Sequence, residues 1–283
     1  VAVKPQHAPA FRIPSWRSFL TVLAQLSLCL LSADIAQAQA VGAPKYSTEG
    51  IVHGATFESG PVAGNTFISI FGENLAWSTR RVTQTDIRSN RLPTALGGVQ
   101  VLIGPAQAYL VFVSPTQINA LVSSDLSNGK YSVRVLRDSW AGPEAIVEVV
   151  KTAPGLFMLE DGLPVVTRPD GGLVDKENPV RAGSIVILWA TGLGPTLPTA
   201  LPGELPRGAA MLADLDGLVI QLAGVRVPRA NVLYAGVAPG FAGLYQINLL
   251  LPAETPLNPE IRIGNEGAMS PAGQKIFVLP GEE

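Results

Sequence analysis

Residues Ser114–Val122 read SPTQINALV, and residues Gly243–Leu251 read GLYQINLLL. A Gln-Ile-Asn triplet leading into an apolar run thus occurs twice in one chain. Two further pairs of stretches keep the same order. AGNTFISIFGENLA (Ala63–Ala76) matches AGSIVILWATGLGP (Ala182–Pro195) at a spacing of 119 residues, from 63 to 182. LGGVQVLI (Leu96–Ile103) matches LDGLVIQL (Leu215–Leu222), again 119 apart. At the triplets the spacing reaches 129, and much of the added length is AGVAPGFAG, Ala235–Gly243. Ordered matches, with length changes confined to Gly/Pro-rich segments, mark an internal duplication.

The period inside each copy is that of a strand. Phe67, Ser69 and Phe71 fall on one face and Ile68 and Ile70 on the other. Tyr131, Val133 and Val135 alternate with Ser132 and Arg134. Side chains of a pleated strand point alternately to its two faces, so such runs bury one face and wet the other. No stretch holds a helical period, and turns such as SNGK, EDG and PDGG recur between the runs. The pattern predicts an all-β fold of two tandem Ig-like β-sandwiches. Their bounds are residues 41–153 and 154–283, with the junction in KTAPGLF, Lys151–Phe157. In the triplets Ile118 and Ile247 are expected inside. Gln117 with Asn119, and Gln246 with Asn248, are expected to hydrogen-bond a crossing loop or strand.

Composition narrows the class. Of 283 residues, 47% are hydrophobic and 15% charged, which supplies packed cores. The net charge is −2 with scattered basic residues, so no nucleic-acid surface is expected. The 29 Gly and 24 Pro, spread between apolar runs, read as turns. Residues 1–40 read as a signal peptide: Lys4, Arg12 and Arg17, then the apolar Phe19–Leu31, then small-residue cleavage sites in SADIAQAQA. That apolar run is short of the roughly 20 residues that span a bilayer. The mature chain is therefore expected to lack a membrane span and to be secreted or periplasmic. The single cysteine, Cys29, lies in the leader behind Leu28, which does not fit lipid attachment. The mature chain then has no disulfide and no thiol chemistry.

Catalytic constellations are not legible. His53 is the one histidine after the leader, and a lone histidine there reads as a surface or capping residue. No serine sits in a Gly-x-Ser-x-Gly elbow. Asp170 with Asp175, and Asp214 with Asp216, read as tight turns rather than calcium loops. Nothing singles out a carboxylate pair such as Glu73 with Asp170. No cofactor and no metal site is expected. The candidate binding residues are aromatic. Phe241 and Tyr245 lie in the inserted Gly/Pro-rich segment AGVAPGFAGLY, which either binds a partner or covers the seam between the halves. Trp77 and Trp140 lie at strand ends; Trp189, mid-strand, reads as core.

FISIFGENLA, LPTALGGVQVLI, VFVSPTQINALV, TAPGLF, IVILWATGLGP and VLYAGVAPGFAGLYQINLLLP, in that order, resemble an uncharacterised secreted domain family of Acidobacteria, the Solibacter-type C-terminal domain. SIFGENLA is also similar to the Gly-x-Asn-Leu strand end of IPT/TIG immunoglobulin-like domains. The resemblance covers nearly all of residues 50–279 and implies tandem Ig-like sandwiches; it carries no activity. His53-Gly54 departs from the Asn-Ala that the family pattern has there. The expected function is a non-enzymatic extracytoplasmic module that recognises a polysaccharide or a cell-surface protein. A ligand-free spacer is the alternative, and a carboxylate-based glycoside hydrolase a more distant one.

Overall fold

The computed structural model describes residues 42–281, residue 160 excepted. The expected signal peptide lies outside the described residues. The chain is built from strands, with one short 3-10 turn at Arg229–Asn231. The predicted all-β sandwich architecture is what the chain adopts.

The N-terminal sandwich has two facing sheets. One runs in the order Ile51–His53, Phe67–Phe71, Gln117–Leu121, Tyr109–Val113, Arg80–Arg81. The other runs Val62–Ala63, Ala145–Val150, Gly129–Arg137, Val99–Ile103, Ala95–Leu96. Alternate side chains meet between them: Ile68, Ile70 and Ile118 from one sheet, Val99, Val101, Val133 and Val135 from the other. The C-terminal sandwich repeats this plan. Ile185–Thr191, Tyr245–Leu250 and Val232–Val237 are neighbours in one sheet, and Val219–Leu222 pairs Ile261–Asn265 in another. Val186, Leu188, Ile220, Ile247 and Ile263 fill its separate core. In each sandwich a short strand runs parallel to the last strand, Val62–Ala63 beside Val149–Val150 and Val180–Arg181 beside Val278–Leu279.

Hydrogen bonds revise one detail of the duplication. Ile70 pairs with Ile118, and Leu188 with Ile247. The N–H of Asn65 donates to Val122, and that of Gly183 to Leu251. The first matched stretches are therefore related by 118 positions rather than 119. A slip of one residue exchanges the faces of a strand, so only the shorter spacing puts Ile68 and Ile70 in register with the core residues Val186 and Leu188.

The amides of the triplets also differ from expectation. Within each triplet the amides bond each other: the Gln117 side chain donates to Asn119 at 2.8 Å, and Gln246 to Asn248 at 2.7 Å; among the described residues only Asn119 also bonds a neighbouring strand. Ser69 adds a second donor to the Asn119 oxygen at 3.0 Å. Ile118 and Ile247 are fully buried, as their alternation predicts.

Candidate functional site

The outer face of the Phe67–Phe71 sheet is only partly open to solvent: Ser69 is buried and Phe67 half-buried, while Phe71 stays exposed. The C-terminal sandwich leans on it through Phe157, which meets Phe67 edge-on, and through two further segments. The loop Ala238–Leu244, which closes the hairpin of Val232–Val237 with Tyr245–Leu250, brings Phe241 and Ala242 across. The segment Leu201–Leu205 pairs with the N-terminal half: the Leu92 N–H donates to Gly203 at 2.9 Å, and the Leu205 N–H to Asn90 at 2.9 Å. Thr191, fully buried, adds a clasp. Its hydroxyl lies 3.1 Å from the Asn65 carbonyl and 2.9 Å from that of Gly243, and it accepts the Phe67 N–H at 3.3 Å.

Between these contacts a cavity of about 530 Å³ remains. Phe67, Phe112 and Asn119 of the N-terminal sheet form one wall, and Phe157, Leu205 and Phe241 form the opposite one. Phe57 and Arg81 stand at it as well. The sheet wall is shaped by a bulge at Val111, between the pairs Leu110–Ala120 and Phe112–Asn119. That extra residue puts Phe112 on the Asn119 face and Val113 in the core. Phe241 thus does two things: it packs on the seam cluster with Ala55, Phe157 and Trp189, and it lines the cavity.

Tyr245 requires a correction. It is 0% exposed, and its hydroxyl donates to the Gly194 carbonyl. Burial raises its pKa. The ring belongs to the C-terminal core, so it has no surface to offer a partner. Trp189 is buried as expected, and its indole N–H donates to Thr167 at 3.0 Å.

Trp77 and Trp140 are both placed beside the turn at Asp138 in the N-terminal sandwich. The turn Arg137–Trp140 joins the strand Gly129–Arg137 to Trp140–Ala141, with Asp138 at φ +51°. The Trp77 indole N–H donates to the Asp138 carboxylate at 2.6 Å. Its ring lies 3.9 Å from the guanidinium of Arg137. Arg137 is 0% exposed and donates to the carbonyls of Asn74, at 2.6 Å, and Gly42. Burial lowers its pKa. Trp77 remains 47% and Trp140 46% exposed. Two half-exposed indoles therefore flank one tight turn, and one of them is fixed from behind by a buried cation.

His53 is not at the surface; it is 7% exposed. Its Nδ1 accepts the N–H groups of Ala55 at 3.2 Å and Thr56 at 3.3 Å, which caps that turn. Nε2 therefore carries the proton and donates to Ala153 at 3.0 Å, in the junction between the halves. Burial lowers the pKa of the ring. The acidic pairs make turns: Asp170 accepts from Gly172, Asp175 from Asn178, and Asp214 from Gly217. Glu73 faces Lys45 at 3.8 Å on the surface. Among the described residues no three His, Cys, Asp or Glu side chains stand close enough to hold a metal, and no helix is long and apolar enough to cross a membrane.

No curated protein matches the chain. Among solved structures, a Bacteroides ovatus SGBP-B from a mixed-linkage glucan utilization locus, in complex with a mixed-linkage heptasaccharide, is 11% identical with a TM-score of 0.32. That match covers 86% of this chain and 47% of the other. An SGBP-B from a xyloglucan utilization locus of Bacteroides uniformis is 13% identical with a TM-score of 0.26, over 83% of this chain and 49% of that one. The chain thus spans about half the length of these two structures. Domains 5–6 of the S-layer protein SbsC are 8% identical with a TM-score of 0.26, over 84% of this chain and all of that one. Residues 51–147, which hold the tryptophan turn and most of the N-terminal core, match the IPT/TIG domain.

Proposed function

We propose that the protein is a non-enzymatic, extracytoplasmic recognition module that binds polysaccharide on the Trp77–Trp140 face. It consists of two sandwich domains that meet at Ala153–Pro154, and its wider kinship is with the acidobacterial secreted family whose motifs it carries. The observation that carries the reading is the fixed indole of Trp77. A buried guanidinium is costly to desolvate. Here it is spent on two carbonyls and the back face of a ring whose other side stays wet. A rigid, exposed aromatic loses little entropy when a flat apolar sugar face stacks on it. Trp140, across the turn, extends the platform to a second sugar unit. Among the described residues no group of His, Cys, Asp or Glu that could hold a metal accompanies it, which is in keeping with binding.

Depletion assays with insoluble cellulose, xylan and chitin, together with affinity gels of soluble glucans, test this. At least one polymer should retain the protein. Trp77→Ala and Trp140→Ala should each weaken retention about two- to tenfold, the worth of one aromatic contact. Absence of retention on every polymer, or retention unchanged in the double variant, would sink the reading.

A further inference from the structure

The seam cavity is separate from the tryptophan face and has its own chemistry. Its walls are mostly Phe, Leu, Ile and Val, and its volume of about 530 Å³ lies within the roughly 300–1,000 Å³ typical of small-molecule pockets. Charge enters it once. Among the described residues Arg81 is the single ionisable one that lines it, and no carboxylate does. The contrast with Arg80 is informative. Arg80 forms an ion pair with Asp86, whose carboxylate also accepts the Thr83 N–H at 2.8 Å and the Thr83 hydroxyl at 2.7 Å. Arg81 forms no ion pair among the described residues; its guanidinium lies 5.1 Å from the centre of the Phe112 ring, at the cavity wall.

An apolar chamber with one uncompensated cation and no acid selects a molecule with a long apolar body and one anionic end. We propose that the cavity binds a free single-chain carboxylate of the fatty-acid class. The hydrocarbon lies between Phe67 and Phe112 of the N-terminal sheet and Phe157 and Phe241 of the C-terminal half; the carboxylate meets Arg81. Arg81 suits this end, because its planar fork matches a carboxylate with two parallel hydrogen bonds. Both halves supply walls, so the site exists only where they meet.

Binding of ¹³C-carboxyl-labelled octanoate and dodecanoate to the full chain, followed by NMR below micellar concentrations, tests the proposal. Saturable one-to-one binding is expected, with affinity rising roughly fourfold per added methylene as apolar area is buried. Arg81→Gln, at an exposed position, should weaken dodecanoate about tenfold and leave dodecanol unchanged. Val111→Trp, which fills the cavity from the bulge, should abolish binding of both while circular dichroism stays that of a folded protein. Lack of saturable binding, affinity indifferent to chain length, or carboxylate binding that Arg81→Gln leaves intact would each overturn the proposal. So would Arg81-dependent sedimentation with phosphatidylglycerol vesicles in the absence of alkanoate binding, which would make the cation a membrane contact.

Discussion

Arg137 shows what a single side chain can decide. Its guanidinium ties the backbone at Gly42 and Asn74 to the strand Gly129–Arg137 and seats Trp77. Arg137→Met keeps much of the volume but removes the guanidinium donors to the Asn74 and Gly42 carbonyls. The expected loss is about 2–3 kcal/mol of stability, since hydrogen bonds to charged groups are worth about 1.5–3 kcal/mol each and the carbonyls regain some water. Urea denaturation would measure it, and emission from Trp77 should shift to the red as the ring becomes mobile. The strand alternation already contained this residue. Tyr131, Val133 and Val135 share the inward face, and one further step of two reaches Arg137. A charged residue at an inward step is easily dismissed as the end of the strand, because nothing local names the carbonyls that will satisfy it. Tyr245 carries the same lesson in reverse. It stands two residues before the inward Ile247, so its burial followed from the period, yet its place beside an apolar loop suggested surface.

At the scale of elements, the duplication was legible because both copies keep the strand period and the Gln-Ile-Asn triplet. Its register was not. Ala63-Gly64 and Ala182-Gly183 match as letters, but the residue that must adopt a left-handed backbone is Asn65 in one copy and Gly183 in the other, at φ +59° and +81°. Identity favoured the neighbour; backbone geometry chose 118. Gly183 and Gly192 separate two costs that a glycine can hide. A Cβ at Gly183 would meet nothing within 4 Å, so Gly183→Ala carries only the left-handed penalty, about 1–2 kcal/mol. A Cβ at Gly192, at φ +77°, would sit 1.8 Å from the Ala153 carbonyl oxygen, in the junction. Gly192→Ala should therefore cost well over twice as much as Gly183→Ala in thermal or urea denaturation. Equal losses would show that the junction yields freely. Of the two seam segments, Ala238–Leu244 fell largely within Ala235–Gly243, the stretch that stood out as an insertion. Leu201–Leu205 did not, although its apolar Leu201 and Leu205 in a Pro/Gly-rich stretch were the available signal. Which surface such a segment will cover is a tertiary fact that periodicity does not encode.

At the scale of the whole molecule, the seam joins the sandwiches through buried groups whose state can be changed from outside. Thr191→Val removes one hydroxyl with little change of shape and strands the Phe67 N–H; a loss of about 1–3 kcal/mol is expected. His53 makes the junction sensitive to pH. The ring is held neutral: Nδ1 faces two N–H donors, and Nε2–H serves Ala153. A proton added at Nδ1 would confront Ala55 and Thr56 with a third donor. Burial, the larger influence, also lowers the pKa below 6.5, and no neighbouring charge contributes to the shift. A depressed pKa means that the folded state binds the proton later than the unfolded one. The stabilisation is complete above about pH 6.5, falls as the unfolded chain begins to take up protons, and is lost once pH passes below the folded pKa. The carboxylates with lowered pKa, Glu49 and Asp86, start from 4.5 and 3.8, so their losses come in more acidic solution. Between pH 6.5 and about 5 the decline therefore belongs to His53. Urea midpoints across this window should fall with pH in the native chain. In His53→Gln, whose amide can still donate to Ala153 but does not titrate, they should stay nearly level. A native profile that is flat from pH 7.5 to 5, or a slope that survives the substitution, would mean that the junction does not depend on the neutral ring.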